Sequence, residues 1–361
     1  MEKITESEEE ELRTLIIAVG EPGFNEDRFN QLQDKYASSR AEEFKELFLK
    51  PIIPNVSIAS SIRFGRYAYN HRGVRWELSP RNEIFRESNY YHQPTANQKL
   101  VHFTKSSNLD SIIDSQCLWL KPLDSMEDPN EMFSLARTIG FDKKEISTYQ
   151  KELYTASFNL FENNNNEEWV FWKIYGDEGK GVGLEFSLEE QDVSKWRSFH
   201  CSPVHYSLQT QLDFLQNLKE KSLSWMGNRG FTIKNLAEVY LKLMCFHKHE
   251  MWRFEKEIRL LFYNGTGAHK NYLHNIINDD KGRRIELEIG NRLESSNADW
   301  INKGFDMLVD FKPQLKLSNI ILGPKIKDFN SKKESLTNKL KESFSYPVKI
   351  TKSKFYDYFN P

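Results

Sequence analysis

Apolar and polar positions alternate most regularly across Met251–Tyr263. Read as a strand, this stretch sets Ile258, Leu260 and Phe262 on one face and Glu255, Glu257 and Arg259 on the other. The apolar face predicts a strand packed on a core. The polar face has three readings: it is solvated, it is an internal ion-pair cluster, or it lines a site.

Residues 1 to about 50 carry a helical period, with Leu12, Leu15, Ile16 and Val19, then Phe29, Leu32, Tyr36, Phe44, Leu47 and Phe48, broken at Gly20-Glu21-Pro22-Gly23. Between Pro51 and about Asn97 that period dissolves. Six arginines, Arg63, Arg66, Arg72, Arg75, Arg81 and Arg86, interleave with aromatic residues such as Tyr67, Trp76 and Tyr90. The mixture suits a nucleic-acid surface or a domain interface with cation–π contacts. Pro94-Thr95-Ala96-Asn97 reads as a boundary between an N-terminal, largely helical extension over 1–96 and a second domain over 97–361.

Short elements follow from Lys99. The patterns predict a strand over Leu100–Thr104, a helix over Asn108–Ser115 capped by Ser106 or Ser107, a strand at Leu118–Leu120 and a helix near Lys143–Leu153. Next come a strand at Tyr154–Asn159, a helical Trp169–Tyr175 and a strand at Gly181–Phe186, whose glycines permit close approach by a ligand or a neighbouring strand. Phe199–Tyr206 reads as a strand and Gln209–Cys245 as helical with an interruption at Gly227-Asn228-Arg229-Gly230. Arg283–Ile289 alternates as a strand, and the tail runs strand Leu317–Leu322, helix Asn330–Phe344, strand Pro347–Ile350. Strands and helices do not alternate steadily, which predicts an α+β fold rather than a doubly wound one.

Composition narrows this little. With 361 residues, 13% of them aromatic and 25 of them Phe, the chain has ample material for a core. A net charge of -2 makes no global case for nucleic acid or membrane, although Lys312–Lys354 holds eleven lysines against three acids, a solvated basic face or a phosphate-attracting one. No apolar run approaches a membrane span, and Glu8–Glu11 stand where a signal peptide would be basic, so a cytoplasmic protein with no membrane partner is expected. Cys117, Cys201 and Cys245 are far apart and read as reduced thiols. No phosphate-binding loop or serine-nucleophile motif occurs, and His247 and His249 near Glu250 lack a third metal ligand of fitting spacing, so no metal is expected.

Three short motifs remain: His102-x-Thr104 at a strand end, Trp172-x-x-Tyr175 in the middle, and Glu255-x-Glu257 late. Val101-His102-Phe103-Thr104 with Asn108-Leu109-Asp110-Ser111-Ile112-Ile113, Trp172-x-x-Tyr175 before Gly181–Phe186, Trp252–Arg259, and Ile321-Leu322-Gly323-Pro324 together resemble a widespread bacterial domain family of unknown function, over roughly Lys99 to the C-terminus. The opening also resembles the first motif of DarT-type ADP-ribosyltransferases, where a His-x-Thr strand precedes an Asn-Leu-x-x-Ile helix.

That resemblance implies an ADP-ribosyltransferase-like split β-sheet surrounded by helices, with NAD as substrate. It implies that His102 contacts an NAD ribose with Thr104 in support, that Tyr175 or Trp172 stacks on nicotinamide, and that Glu257 is the catalytic glutamate. Glu255 then matches the first acid of transferases that modify acceptor side chains. Such domains act as bacterial toxins or phage-defence effectors, so the implied partners are a nucleic-acid or protein acceptor and an inhibitor or antitoxin. A non-catalytic ligand-sensing or interaction module and an NAD glycohydrolase are the alternatives. The sequence departs from the unknown-function family at Glu127-Asp128-Pro129, where Asn-Asp-Pro is expected, adding charge near the implied pyrophosphate path.

Overall fold

A computed structural model describes residues 3–50, 62–70, 73–80, 98–125, 131–161, 167–188, 196, 198–206, 209–227, 231–233, 240–241, 244–265, 276–290 and 312–360. The strands in chain order are β1 (Ile62–Asn70), β2 (Gly73–Pro80), β3 (Lys99–Thr104), β4 (Cys117–Pro122), β5 (Leu153–Phe161), β6 (Val182–Leu188), β7 (Phe199–Pro203) and β8 (His205–Tyr206). They continue with β9 (Phe231–Ile233), β10 (His247–Lys248), β11 (Glu257–Tyr263), β12 (Ile277–Asp279), β13 (Gly282–Glu288), β14 (Leu315–Leu322) and β15 (Lys349–Lys352). Mixed helices and strands around a large sheet make the protein α+β.

The chain divides into two compact units, one of Met1–Tyr91, Ser134–Lys143 and Ser207–Met244, the other of His92–Phe133, Lys144–Tyr206 and Cys245–Pro361. The first therefore draws two segments from beyond residue 97.

In the first unit, helix Glu6–Ile17 opens with a capping box, in which Glu8 N–H donates to Thr5 Oγ1 (3.2 Å) and Thr5 N–H to Glu8 Oε2 (2.9 Å). Its acids meet the bases of helix Glu26–Phe44 through Lys35–Glu8 (2.7 Å), Arg28–Glu11 (2.6 Å) and Arg40–Glu9 (2.5 Å). β1 and β2 form an antiparallel hairpin, to which β9 adds parallel to β2. The helical reading of 209–245 needs correction: helix Gln209–Gly227 stops at its glycine, and Phe231-Thr232-Ile233, aromatic and β-branched, is a strand. The side chains of the Arg63–Arg86 stretch and Glu127-Asp128-Pro129 lie outside the described residues.

The second unit is built on one sheet in the order β12-β13-β4-β5-β3-β6-β14-β15, with β11 also on β5 and β7 beyond β11. β5 is the common member. Along one edge it pairs with β11 from Leu153 to Asn159. Along the other it pairs with β3 only at Asn159–Phe161 and with β4 only at Tyr154 and Thr155. Among the described residues no strand pairs with that edge at Ala156–Phe158, so β3 and β4 diverge there and the ladder opens.

One face of this sheet is the main core. Tyr154, Ala156 and Phe158 of β5, Ile258, Leu260 and Phe262 of β11, and Leu184 and Phe186 of β6 are all buried in it. Helix Ser106–Ser115 contributes Leu109 and Ile113, and helix Phe329–Ser343 adds Leu336 and Leu340. The predicted serine cap is corrected too: Lys105 is the N-cap, without a side-chain hydrogen bond. Gly181 sits so close to the end of β3 that a Cβ there would lie 2.3 Å from the Thr104 carbonyl oxygen, so its smallness serves a neighbouring strand.

Candidate functional site

The alternation read in Glu257–Tyr263 holds in β11, and β5 mirrors it. Cross-strand register places Thr155, Ser157 and Asn159 beside Leu261, Arg259 and Glu257, with Ser202 and His200 of β7 beyond. Most of this face is polar, and it is buried: Glu257 is 3% exposed and Arg259 0%. A solvated face is excluded. Buried charges require partners, and these have them. Arg259 Nε and Nη2 donate to Glu257 Oε1 (2.9 Å) and Oε2 (3.1 Å), while Nη1 donates to the Cys245 carbonyl. Ser157 Oγ donates to Glu257 Oε1 (2.5 Å), and Glu257 N–H donates to the Tyr206 hydroxyl oxygen (3.0 Å).

Glu255 is not on the strand. Residues Glu250–Glu255 form a 3-10 helix, closed by Lys256 in the left-handed region (φ 45°), and β11 starts only at Glu257. The reversal still brings the two carboxylates together: Lys248 Nζ lies 2.7 Å from Glu255 Oε2 and 2.7 Å from Glu257 Oε2. Tyr175 OH donates to Glu255 Oε1, and Asn159 Nδ2 holds the Glu255 carbonyl at 2.5 Å.

The charges set the protonation states. Burial pushes the Glu257 carboxyl up, but Arg259 and Lys248 beside it outweigh that and hold it down to about 2. Burial and the neighbouring Glu255 carboxylate push the Tyr175 phenol well above its ordinary value, so it remains a donor.

His102 meets this network from the opposite face. β3 register puts Leu100, His102 and Thr104 on the core side and Val101 and Phe103 on the Glu257 side. His102 Nδ1 lies 2.9 Å from the Ser157 carbonyl oxygen, at the opening in the β5 ladder. A carbonyl can only accept, so Nδ1 carries the hydrogen and Nε2 of the neutral ring is an acceptor. Burial keeps the ring's pKa below its usual value. Ser157 thus joins His102 through its main chain to Glu257 through its side chain.

The other two predicted residues stand apart. Thr104 Oγ1 accepts from Asn108 Nδ2 (2.9 Å), tying the strand end to its helix. Trp172 is 0% exposed, edge-on to Phe103 at 4.8 Å, with its Nε1 donating to Glu167 Oε1 (2.6 Å). Its ring faces are taken up by protein. Tyr175, one turn on, is only half-buried and touches the Glu255 carboxylate.

Lys248, Ser157, Asn159 and Tyr206 were missed. For Ser157 and Asn159 the signal was present as Thr155-x-Ser157-x-Asn159, a polar alternation matching that of Glu257-x-Arg259. Lys248 and Tyr206 sit on the two-residue parallel bridge of β10 and β8, too short for any periodicity.

Residues 171–260 match a family described as a protein of unknown function, DUF2971. The matched span contains Trp172, Tyr175, Lys248, Glu255, Glu257 and Arg259, while His102 and Thr104 precede it. No curated protein and no solved structure matches the chain. Among the described residues no helix is long and apolar enough to cross a membrane.

Proposed function

We propose that this site cleaves the nicotinamide–ribose bond of NAD and transfers ADP-ribose to an acceptor. The observation that carries the reading is Glu257, a carboxylate held ionised on a buried face and linked through Ser157 to His102 at the opening in the sheet. When the C1′–N bond breaks, its electron pair leaves with nicotinamide and positive charge passes to the ribose. A fixed carboxylate in a water-poor site stabilises that charge strongly. The acceptor's nucleophilic atom then bonds to C1′ and loses its proton, for which Glu255 is the nearby base.

In this reading His102 Nε2 serves the ribose through the opening in the ladder, Thr104 supports it by tying the end of β3 to its helix, Tyr175 lies against nicotinamide, and Trp172 packs edge-on to Phe103. The opening in the β5 ladder between β3 and β4 supports the reading of an ADP-ribosyltransferase-like split β-sheet. The protein is then a cytoplasmic bacterial toxin or phage-defence effector with a nucleic-acid or protein acceptor and an inhibitor or antitoxin partner. With water as the acceptor the same site is an NAD glycohydrolase.

The test is nicotinamide release from labelled NAD, with the protein alone and with a lysate supplying nucleic acid and protein. Release that needs lysate, with label retained on a macromolecule and lost in Glu257→Gln, supports transfer. Release without lysate supports hydrolysis. Absence of both release and NAD binding sinks the enzymatic reading.

A second reading has its own observation. Ser157, both Arg259 nitrogens and Lys248 give Glu257 four donors, the full number a carboxylate accepts. A non-catalytic interaction module would keep such a closed ion-pair cluster.

A further inference from the structure

Glu257 has no acceptor position left for a ligand hydroxyl while its four donors stay in place, so NAD chemistry at this carboxylate requires one of them to leave. Arg259 is fixed: its side chain is 1% accessible, and it is anchored to the Cys245 carbonyl as well as to both Glu257 oxygens. Ser157 is set by the β5 backbone, which pairs with β11 at that residue. Lys248 differs on three counts. Its side chain is 13% accessible, it has a flexible four-carbon stem on a two-residue bridge, and it has a second carboxylate, Glu255, already at 2.7 Å. It can release Glu257 without leaving its own charge unpaired.

Charge decides when it does so. Among the described residues, the two carboxylates of Glu255 and Glu257 match the two cations Lys248 and Arg259 in charge. A neutral ligand entering beside Glu257 gives Lys248 no reason to move. A cationic one repels it and takes over its role. We propose that Lys248 is the movable counter-ion of this site: it fills the Glu257 position that a ligand hydroxyl needs, and withdraws to Glu255 when a ligand bearing its own positive charge enters. It is a positioning residue that competes with cationic ligands for Glu257. The identity of the ligand rests on the NAD reading above; the release of Glu257 does not.

Two measurements on the whole chain separate these. Carbodiimide labelling of Glu257, read by peptide mass spectrometry, follows access to the carboxylate without any nucleotide. Loss of a charged donor of this kind is expected to raise labelling about tenfold in Lys248→Met. Calorimetric affinities for NAD and NADH, whose nicotinamide rings are cationic and neutral, report charge selection. The preference for NAD over NADH is expected to rise about tenfold in Lys248→Met, because an unbalanced carboxylate then faces the ring. Lys248→Gln, which keeps a donor without the charge, should show the same rise in preference and a smaller rise in labelling, and it stands in if Lys248→Met does not fold.

Unchanged Glu257 labelling in both variants overturns the proposal. So does increased labelling with an unchanged NAD-to-NADH preference, because the lysine then blocks space and not charge. If neither nucleotide binds any of the proteins, the NAD reading fails, and labelling alone decides whether Lys248 shields Glu257.

Discussion

Glu257 and Arg259 stand two residues apart on β11 and meet side-on through two contacts, Nε to Oε1 at 2.9 Å and Nη2 to Oε2 at 3.1 Å, on a face closed to solvent. Removing one member of a buried pair strands the other. Arg259→Met is expected to destabilise the fold by about 3–5 kcal/mol, measured by chemical denaturation. Glu257→Gln leaves Arg259 uncompensated and should also lose stability, so its loss of turnover is interpretable only beside that measurement. A loss under about 1 kcal/mol for Arg259→Met would contradict the buried pair.

Tyr175 donates its hydroxyl to Glu255, and in the proposed chemistry its ring lies against nicotinamide. Tyr175→Phe removes the first and keeps the second. If the proposed chemistry holds, nicotinamide release should fall roughly tenfold in kcat with KM nearly unchanged, the signature of a lost hydrogen bond to a charged group. Tyr175→Ala should raise KM as well. Equal effects of the two substitutions in steady-state assays would remove the ring from the nicotinamide role.

Two histidines give the fold a pH dependence. Burial depresses the pKa of His102, and burial with the nearby His205 and His249 depresses that of His247 to about 4. Below the ordinary value of 6.5 the unfolded chain binds protons that the folded chain refuses, so stability falls as pH drops from 6.5 toward 4. Urea midpoints at pH 7 and pH 5 should differ, and by less in His102→Gln. Glu257 works in a separate acid window. Its carboxyl is depressed, so its contribution is complete above 4.5 and disappears as pH falls from there toward 2.

Glu167 gathers distant parts of the second unit, accepting from Trp172 Nε1, from Ser353 Oγ and from the Lys354 N–H at 3.0 Å. Glu167→Ala leaves three donors without their acceptor. A loss of about 2–4 kcal/mol is expected, with faster amide hydrogen exchange confined first to Ser353–Asn360. Uniform exchange across the unit would show that the tail is held by other contacts.

Residues 257–263 show how much the sequence contained. The two-residue period gave the apolar face and the Glu257–Arg259 side correctly, because a strand buried on one face by a core obeys its own alternation. It failed at Glu255, where Lys256 adopts a positive φ of 45° that no hydrophobic pattern encodes. It failed again at β9, where long helical periodicity outweighed three strand-forming residues. It could not reveal that Trp172 and Tyr175, equivalent as neighbours in a motif, differ in exposure, since this depends on Phe103 and Glu167 from other elements. Lys248 was hidden for the same reason: its importance lies in two contacts made across seven and nine residues at a chain reversal.

β5 touches three strands, and the consequence is one of timing. Its β11 partners lie about 100 residues later in the chain, as the Ser157–Glu257 contact illustrates. During synthesis β5 must therefore wait with an edge unpaired while that intervening length is translated, a period of several seconds at usual elongation rates. Long-range pairing of this kind is slow and leaves strand edges open to other chains. Assembly of the site that joins Glu257 to Ser157 is thus also the event that closes this long-waiting edge of β5.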